Sequence, residues 1–193
     1  NAVRHGVSPE GKHYYPSFPY TAYANMTDQD IADLWVYFRS IPESSKPSID
    51  HDLPIYIRWR RPVAFWKLLN NSEPTVKLIS SDPTVERGAY LVETLAHCGE
   101  CHTSRNLIGG LQYEYWLGGA KNPAGKGIIP NITPAKLHWS EEEIVEYLTS
   151  GFTPDFDVAG GHMVDVIKNT SRLTEEDRLS IAKYLKALPG VKK

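Results

Sequence analysis

The chain has 193 residues, 41% hydrophobic and 23% charged, which suits one large folded domain or two small ones rather than a disordered segment. A formal net charge of -2 gives no reason to expect nucleic acid as a partner. No apolar run approaches the length that crosses a bilayer, and no signal peptide opens the chain.

Asn1 carries no helix start signal. Gly6-Val7-Ser8-Pro9 comes early, and Tyr14-Tyr15-Pro16-Ser17-Phe18-Pro19-Tyr20 packs prolines and aromatics densely enough to predict an ordered loop. Thr27-Asp28-Gln29-Asp30 then opens a helix, with Thr27 as N-cap and acids in the first turn. Ile31, Leu34, Trp35 and Phe38 share one face of it, and Pro42 stops it. Ser44, Ser45, Pro47 and Ser48 read as linker. Residues Ile55 to Trp66 hold Arg58, Arg60 and Arg61 among aromatics. One reading is contact with cofactor carboxylates, a partner or a membrane surface; the simpler one is a strap between two domains with solvated arginines. Pro83 precedes a helix over about 84 to 95, with Tyr90, Leu91 and Leu95 on one face.

Cys98-Gly99-Glu100-Cys101-His102 follows, and Cys-x-x-Cys-His is the attachment pattern of a c-type haem. Two thiols three apart can add to the two vinyl groups of one porphyrin. The histidine directly after them is then placed under the iron as proximal ligand. The rival readings are a redox dithiol and half of a zinc site. With two cysteines in the whole chain, the zinc site lacks its other half, and a dithiol has no need of His102. Haem attachment uses both thiols. It also implies maturation outside the cytoplasm, with a signal that was removed or lies outside this sequence.

Beyond the motif come Thr103-Ser104-Arg105-Asn106, a glycine-rich stretch to about 127, and Ile128-Ile129-Pro130-Asn131-Ile132-Thr133. Ser140-Glu141-Glu142-Glu143 caps a helix ending near Gly151. Gly160-Gly161-His162-Met163 precedes a last helix over about 174 to 188. No alternating strand pattern of any length occurs, so the expected fold class is all-α.

The chain also repeats itself. Gly151-Phe152-Thr153-Pro154 echoes Gly6-Val7-Ser8-Pro9 at an offset of 145, and the helix entered at Leu173-Thr174 echoes that entered at Met26-Thr27 at an offset of 147. The haem motif belongs to the second copy, so its counterpart would lie before Asn1. The expected organisation is therefore residues 1–43 as the rear half of a first haem domain, 44–83 as linker or strap, and 84–193 as a complete haem domain.

A second axial ligand can come from either methionine in the chain, Met26 or Met163. Thioether sulfur suits Fe(II) and raises the potential. Met163, after its Gly-Gly loop, is the candidate for the second copy, with His162 as rival. In the first copy Phe18 stands opposite Met163 and cannot ligate, which leaves Met26 or His13 if a haem is present there.

Further residues carry a family resemblance. Arg87-Gly88-Ala89-Tyr90-Leu91-Val92, His97-Cys98-Gly99-Glu100-Cys101-His102-Thr103, Pro130-Asn131-Ile132-Thr133 and Gly151-Phe152-Thr153-Pro154-Asp155 resemble class I c-type cytochrome domains. The specific likeness is to the multihaem cytochrome c subunits of membrane-associated bacterial alcohol, gluconate and related dehydrogenases. Gly6 to Gly11, Tyr15 to Tyr20 and Met26-Thr27-Asp28 resemble the preceding domain of those subunits.

The resemblance implies a cytochrome c-like fold of short helices and long ordered loops around haem, the helix before the motif crossing the last helix at Gly88 and Tyr184. It implies haem c on Cys98 and Cys101 with His102 and Met163 as axial ligands. Arg105, Pro130, Asn131, Ile132 and Thr133 would line the haem edge. Phe18, Tyr20 and Met26 would face a second haem if an upstream segment exists.

The implied function is periplasmic electron transfer, as a carrier or a subunit of an oxidoreductase complex rather than a catalyst on its own. Electrons would pass from a dehydrogenase or another cytochrome towards an oxidase or quinone. Membrane association is expected through partners alone, since no amphipathic anchor follows Lys193. A haem enzyme such as a peroxidase, using His162 and Asp165, or a haem-based ligand sensor is the alternative; both need an open iron site.

Overall fold

In a computed structural model that describes residues 1–55, 58–70, 78, 80–123, 125 and 127–192, the chain falls into two units, 1–72 and 73–193. Among the described residues, no helix is long and apolar enough to cross a membrane.

The first unit starts with one helical turn, α1 (Ala2–His5), closed by Gly6 in the left-handed region at φ 56°. A second short helix, α2 (Tyr20–Tyr23), begins at the last residue of the aromatic stretch expected to be loop. Thr27 starts α3 (Asp28–Ser40) by accepting the Asp30 N–H at 3.0 Å, as its sequence predicts. The region expected as a strap ends in a further helix, α4 (Arg61–Asn70); Tyr56 and Ile57 of that region lie outside the described residues. From α4, the buried Lys67 donates to the His5 and Gly6 carbonyls at 2.6 and 2.7 Å and lies 4.3 Å from the Tyr20 ring centroid. A cation on the last carbonyls of α1, over an aromatic face, offsets the cost of burying the ammonium group. Arg58 and Arg60 donate to the Leu53 and His13 carbonyls at 2.9 and 3.2 Å, so both heads are engaged by backbone.

In the second unit, Asp82 caps α5 (Pro83–Ala89) through the Thr84 N–H at 2.8 Å, with Pro83 at the first helical position. The helix continues as a π-helical stretch, Tyr90–Leu95. After α6 (Gly99–His102) come a 3-10 turn at Tyr113–Tyr115 and two antiparallel two-residue strands, β1 (Ala120–Lys121) and β2 (Ile128–Ile129). Ser140 and Glu143 form the reciprocal capping box of α7 (Glu141–Ser150), and α8 (Met163–Thr170) leads to α9 (Glu175–Ala187). The unit is all-α in character, and α5 crosses α9 at Gly88. A Cβ there would stand 1.9 Å from the Ser180 carbonyl oxygen and 2.7 Å from the Tyr184 Cβ, so only glycine permits the approach. Leu91, Val92, Trp116, Leu117, Ile144, Ile181, Tyr184 and Leu185 form the buried core around that crossing.

The repeat is present bond for bond in the loops that open it. Ser8 N–H donates to Lys12 O, Lys12 N–H to Ser8 Oγ and Tyr14 N–H to Gly6 O, at 2.9, 3.1 and 2.8 Å. In the other copy, Thr153 N–H donates to Asp157 O, Asp157 N–H to Thr153 Oγ1 and Ala159 N–H to Gly151 O, at 2.9, 3.0 and 2.8 Å. The copies differ in what covers the capped helix. In α9, Ile181, Tyr184 and Leu185 are buried at 3, 0 and 7% exposure. Their counterparts in α3 are Leu34, half-buried, and Tyr37 and Phe38, 62 and 56% exposed. Among the described residues, α3 buries none of its own side chains and no equivalent of α5 covers its face.

Candidate haem site

The attachment turn is held from behind. Cys98 N–H donates to Val92 O at 2.9 Å, and Cys98 O accepts from the Cys101 and His102 N–H groups at 3.3 and 3.0 Å. Both thiols and the imidazole therefore sit on one helical turn. The cysteines are not bonded to each other. Cys98 packs against the core, where burial pushes its thiol up to about 12, while Cys101 is exposed. Between them, a Cβ on Gly99 would stand 2.1 Å from the Trp116 ring, so the indole fixes the back of the turn.

His102 Nδ1 lies 2.8 Å from the Pro130 carbonyl oxygen. A carbonyl can only accept, so Nδ1 carries the proton and Nε2 presents its lone pair. Burial lowers the His102 pKa, the Pro130 hydrogen bond opposing it, and the neutral imidazole is the form that can ligate. The Pro130 carbonyl is itself fixed. Asn131 Oδ1 accepts the Thr133 N–H and hydroxyl at 2.8 and 2.7 Å, and Asn131 Nδ2 donates to Val191 O at 2.8 Å. Thr133 Oγ1 accepts the Val191 N–H at 3.0 Å, and Ile132 N–H donates to Leu117 O at 3.0 Å. The polar groups of this loop are thus engaged within the protein and act on the site by aiming Pro130.

Arg105 donates to Glu100 Oε2 at 2.5 Å and to the Glu100 and Gly109 carbonyls at 3.2 and 2.8 Å. Met163 opens α8, a helix that the sequence pattern does not announce, and packs half-buried against the core, while His162 and Asp165 are exposed. In the first unit, the Phe18 ring lies 6.1 Å from Tyr14 and 5.5 Å from Tyr20. Tyr20 and Met26 are buried. His13 Nδ1 is buried without a hydrogen-bond partner. Met26 stands directly before the cap of α3, as Leu173 does before that of α9. So the second unit brings together Cys98, Cys101, His102, Arg105 and residues 130–133 and also carries Met163, whereas Phe18, Tyr20 and Met26 belong to the first.

Nothing in the sequence pattern singles out Glu93. From the π-helical stretch its carboxylate accepts the Tyr184 hydroxyl, which in turn accepts the Trp116 Nε1–H at 3.2 Å. The family resemblance marks Tyr184 as a crossing residue, but its hydroxyl partner depends on the wider π turn.

The chain resembles several curated proteins. A diheme c-type cytochrome of Cereibacter sphaeroides is 52% identical over 191 residues, covering 99% of this chain and 64% of that protein. The cytochrome c subunit of a quinone alcohol dehydrogenase from Gluconacetobacter polyoxogenes is 35% identical over 98% of this chain and 43% of its own length. The cytochrome c subunit of the gluconate 2-dehydrogenase of Pantoea cypripedii is 33% identical over 97% of this chain and 45% of its own length. No family model matches. The homologues are therefore a diheme c-type cytochrome and cytochrome c subunits of dehydrogenases, the class that the motifs of this chain resemble. The chain spans 64% of the first relative and less than half of the other two. Such homologues imply a covalently bound haem c. Two unbonded thiols and an imidazole with a free Nε2 on one turn fit that group.

Proposed function

We propose that the second unit binds one haem c through thioethers to Cys98 and Cys101, with His102 and Met163 as axial ligands, and that the chain transfers electrons one at a time. The observation that carries this reading is the His102 Nδ1–Pro130 hydrogen bond, which leaves Nε2 free on the turn that holds both thiols. Haem c, when bound, supplies one-electron chemistry at its iron. The protein's own part is to fix the imidazole tautomer, bring a thioether from the start of α8, and exclude water with the core around Trp116 and Leu117. Arg105 and residues 130–133 would border the haem edge.

Domain organisation follows the repeat. Residues 1–43 are the rear half of a first haem domain, and its missing front would come from an upstream segment with its own attachment motif. Phe18 and Tyr20 would line that second haem, and Met26 is the sulfur this unit can offer as ligand. The exposed α3 face supports the reading, since its counterpart on α9 is covered by the helix before the haem motif. The chain works in the periplasm as a carrier or a subunit of an oxidoreductase complex, taking electrons from a dehydrogenase or another cytochrome and passing them towards an oxidase or quinone.

The test is the reduced spectrum with and without carbon monoxide. A six-coordinate spectrum unchanged by the gas supports the carrier; a spectrum that shifts at once to the carbonyl form points to an open site and a haem enzyme or sensor.

A further inference from the structure

Glu93 faces inward from the π-helical stretch that leads into the attachment turn. Its Oε1 accepts the hydroxyl of Tyr184, which is fully buried, and that hydroxyl accepts the Nε1–H of Trp116, whose ring packs on Gly99 between the two cysteines. Carboxyl, phenol and indole thus form one hydrogen-bonded series from the α5–α9 crossing to the turn that would hold the haem. The titratable and charged groups around it are Tyr184 from α9, Tyr113 from the 3-10 turn and Cys98 from the attachment segment, with Glu100 and Arg105 beside Tyr113. Of these, Arg105 is the one cation, and it is paired with Glu100 at 2.5 Å.

We propose that Glu93 takes up one proton when this unit takes up one electron, so that the reduction potential of its haem depends on pH through a carboxyl in the helix crossing. The step balances. A one-electron donor is oxidised, Fe(III) becomes Fe(II), and one proton passes from water to a Glu93 carboxylate oxygen, forming an O–H bond. In a low-dielectric interior the loss of one positive charge nearby raises the affinity of a carboxylate for its proton. Burial raises the Glu93 carboxyl from its ordinary value, with the Tyr184 hydrogen bond opposing. Tyr184 and Trp116 hold the carboxyl in place and deliver the coupling, so they are positioning residues.

This inference rests on the reading of the second unit as a haem c domain. Absence of covalent haem from the full chain sinks that reading; haem-loaded protein without the linkage sinks this one alone. The experiment is redox titration of the haem-loaded chain across acidic to neutral pH, with a redox-difference infrared spectrum at each pH. The expected result is a midpoint potential that falls with rising pH across one window, with a protonated-carboxyl C=O band that grows on reduction. Glu93→Gln, which keeps the volume and the hydrogen-bond acceptor, flattens the potential in that window and removes the band. Tyr184→Phe removes the hydrogen bond to the carboxylate and moves the window to higher pH, which keeps the test open if the glutamine variant does not accumulate. A flat potential in the wild type overturns the proposal. So does an unchanged slope and band in Glu93→Gln, which would assign the linkage to the haem propionates.

Discussion

At the scale of the residue, the site depends on which atom of each side chain is already engaged. His102 gives Nδ1 to Pro130 and keeps Nε2. Met163, the proposed second ligand, opens α8 and is only half-buried, so its ligation is expected to be the more easily broken. Met163→Ala is expected to lower the reduction potential and let carbon monoxide bind the reduced iron, because the soft sixth ligand is gone. A variant with the wild-type potential and no carbonyl form would remove Met163 from the ligand set. Glu93 gives a stability prediction that needs no haem chemistry. Burial raises its folded-state pKa above the unfolded value. Its contribution is therefore fully present below the ordinary carboxyl pKa and is lost as pH rises through the raised one. Glu93→Gln should thus gain thermal stability over wild type as pH rises towards neutral, and lose that advantage in acid. Parallel Tm curves for the two proteins would contradict this.

At the scale of the element, helix starts were legible because caps are local. Thr27, Ser140 and Thr174 act within three residues of themselves, and each caps where the sequence puts it. The crossing at Gly88 and Tyr184 comes from the family resemblance and not from local pattern, and in the structure Gly88 lies directly against Ser180 and Tyr184. What could not be read was set by distant partners. α4 rests on Lys67 meeting carbonyls some sixty residues earlier, and α8 begins at Met163 without a capping side chain. The π-helical turn that aims Glu93 leaves no trace in hydrophobic periodicity. At the crossing, Gly88→Ala should cost about 1–3 kcal/mol by overpacking against backbone, measured by denaturant unfolding of the haem-loaded chain. Glu86→Ala, at an exposed position on the same helix, is the control and should cost little. Equal effects at the two positions would mean that α5 does not rest on α9 through Gly88.

At the scale of the molecule, one plan is used twice. The Gly6 and Gly151 loops share their hydrogen bonds, yet the helices that follow differ in cover: Tyr184 and Leu185 are buried, while Tyr37 and Phe38 face water. Exposed aromatics in a row are uncommon on a finished surface. The repeat was legible in the sequence because its glycine, hydroxyl and cap residues recur at nearly constant offsets. The open face of α3 was not, because exposure depends on which helix packs above it. Haem c, when bound, would form part of the core of so small a unit, and a group bound only by the folded state stabilises it. Cys98→Ser with Cys101→Ser should therefore yield little soluble folded protein, and a normal yield of folded, haem-free chain would count against a haem domain. The central claim is that this chain carries covalent haem c on its one Cys-x-x-Cys-His. Intact mass under denaturing conditions tests it most directly, on the chain matured in an exporting host. The account predicts a mass above that of the bare 193-residue chain by one haem, lost in the double serine variant. A wild-type mass equal to that of the bare polypeptide would contradict it.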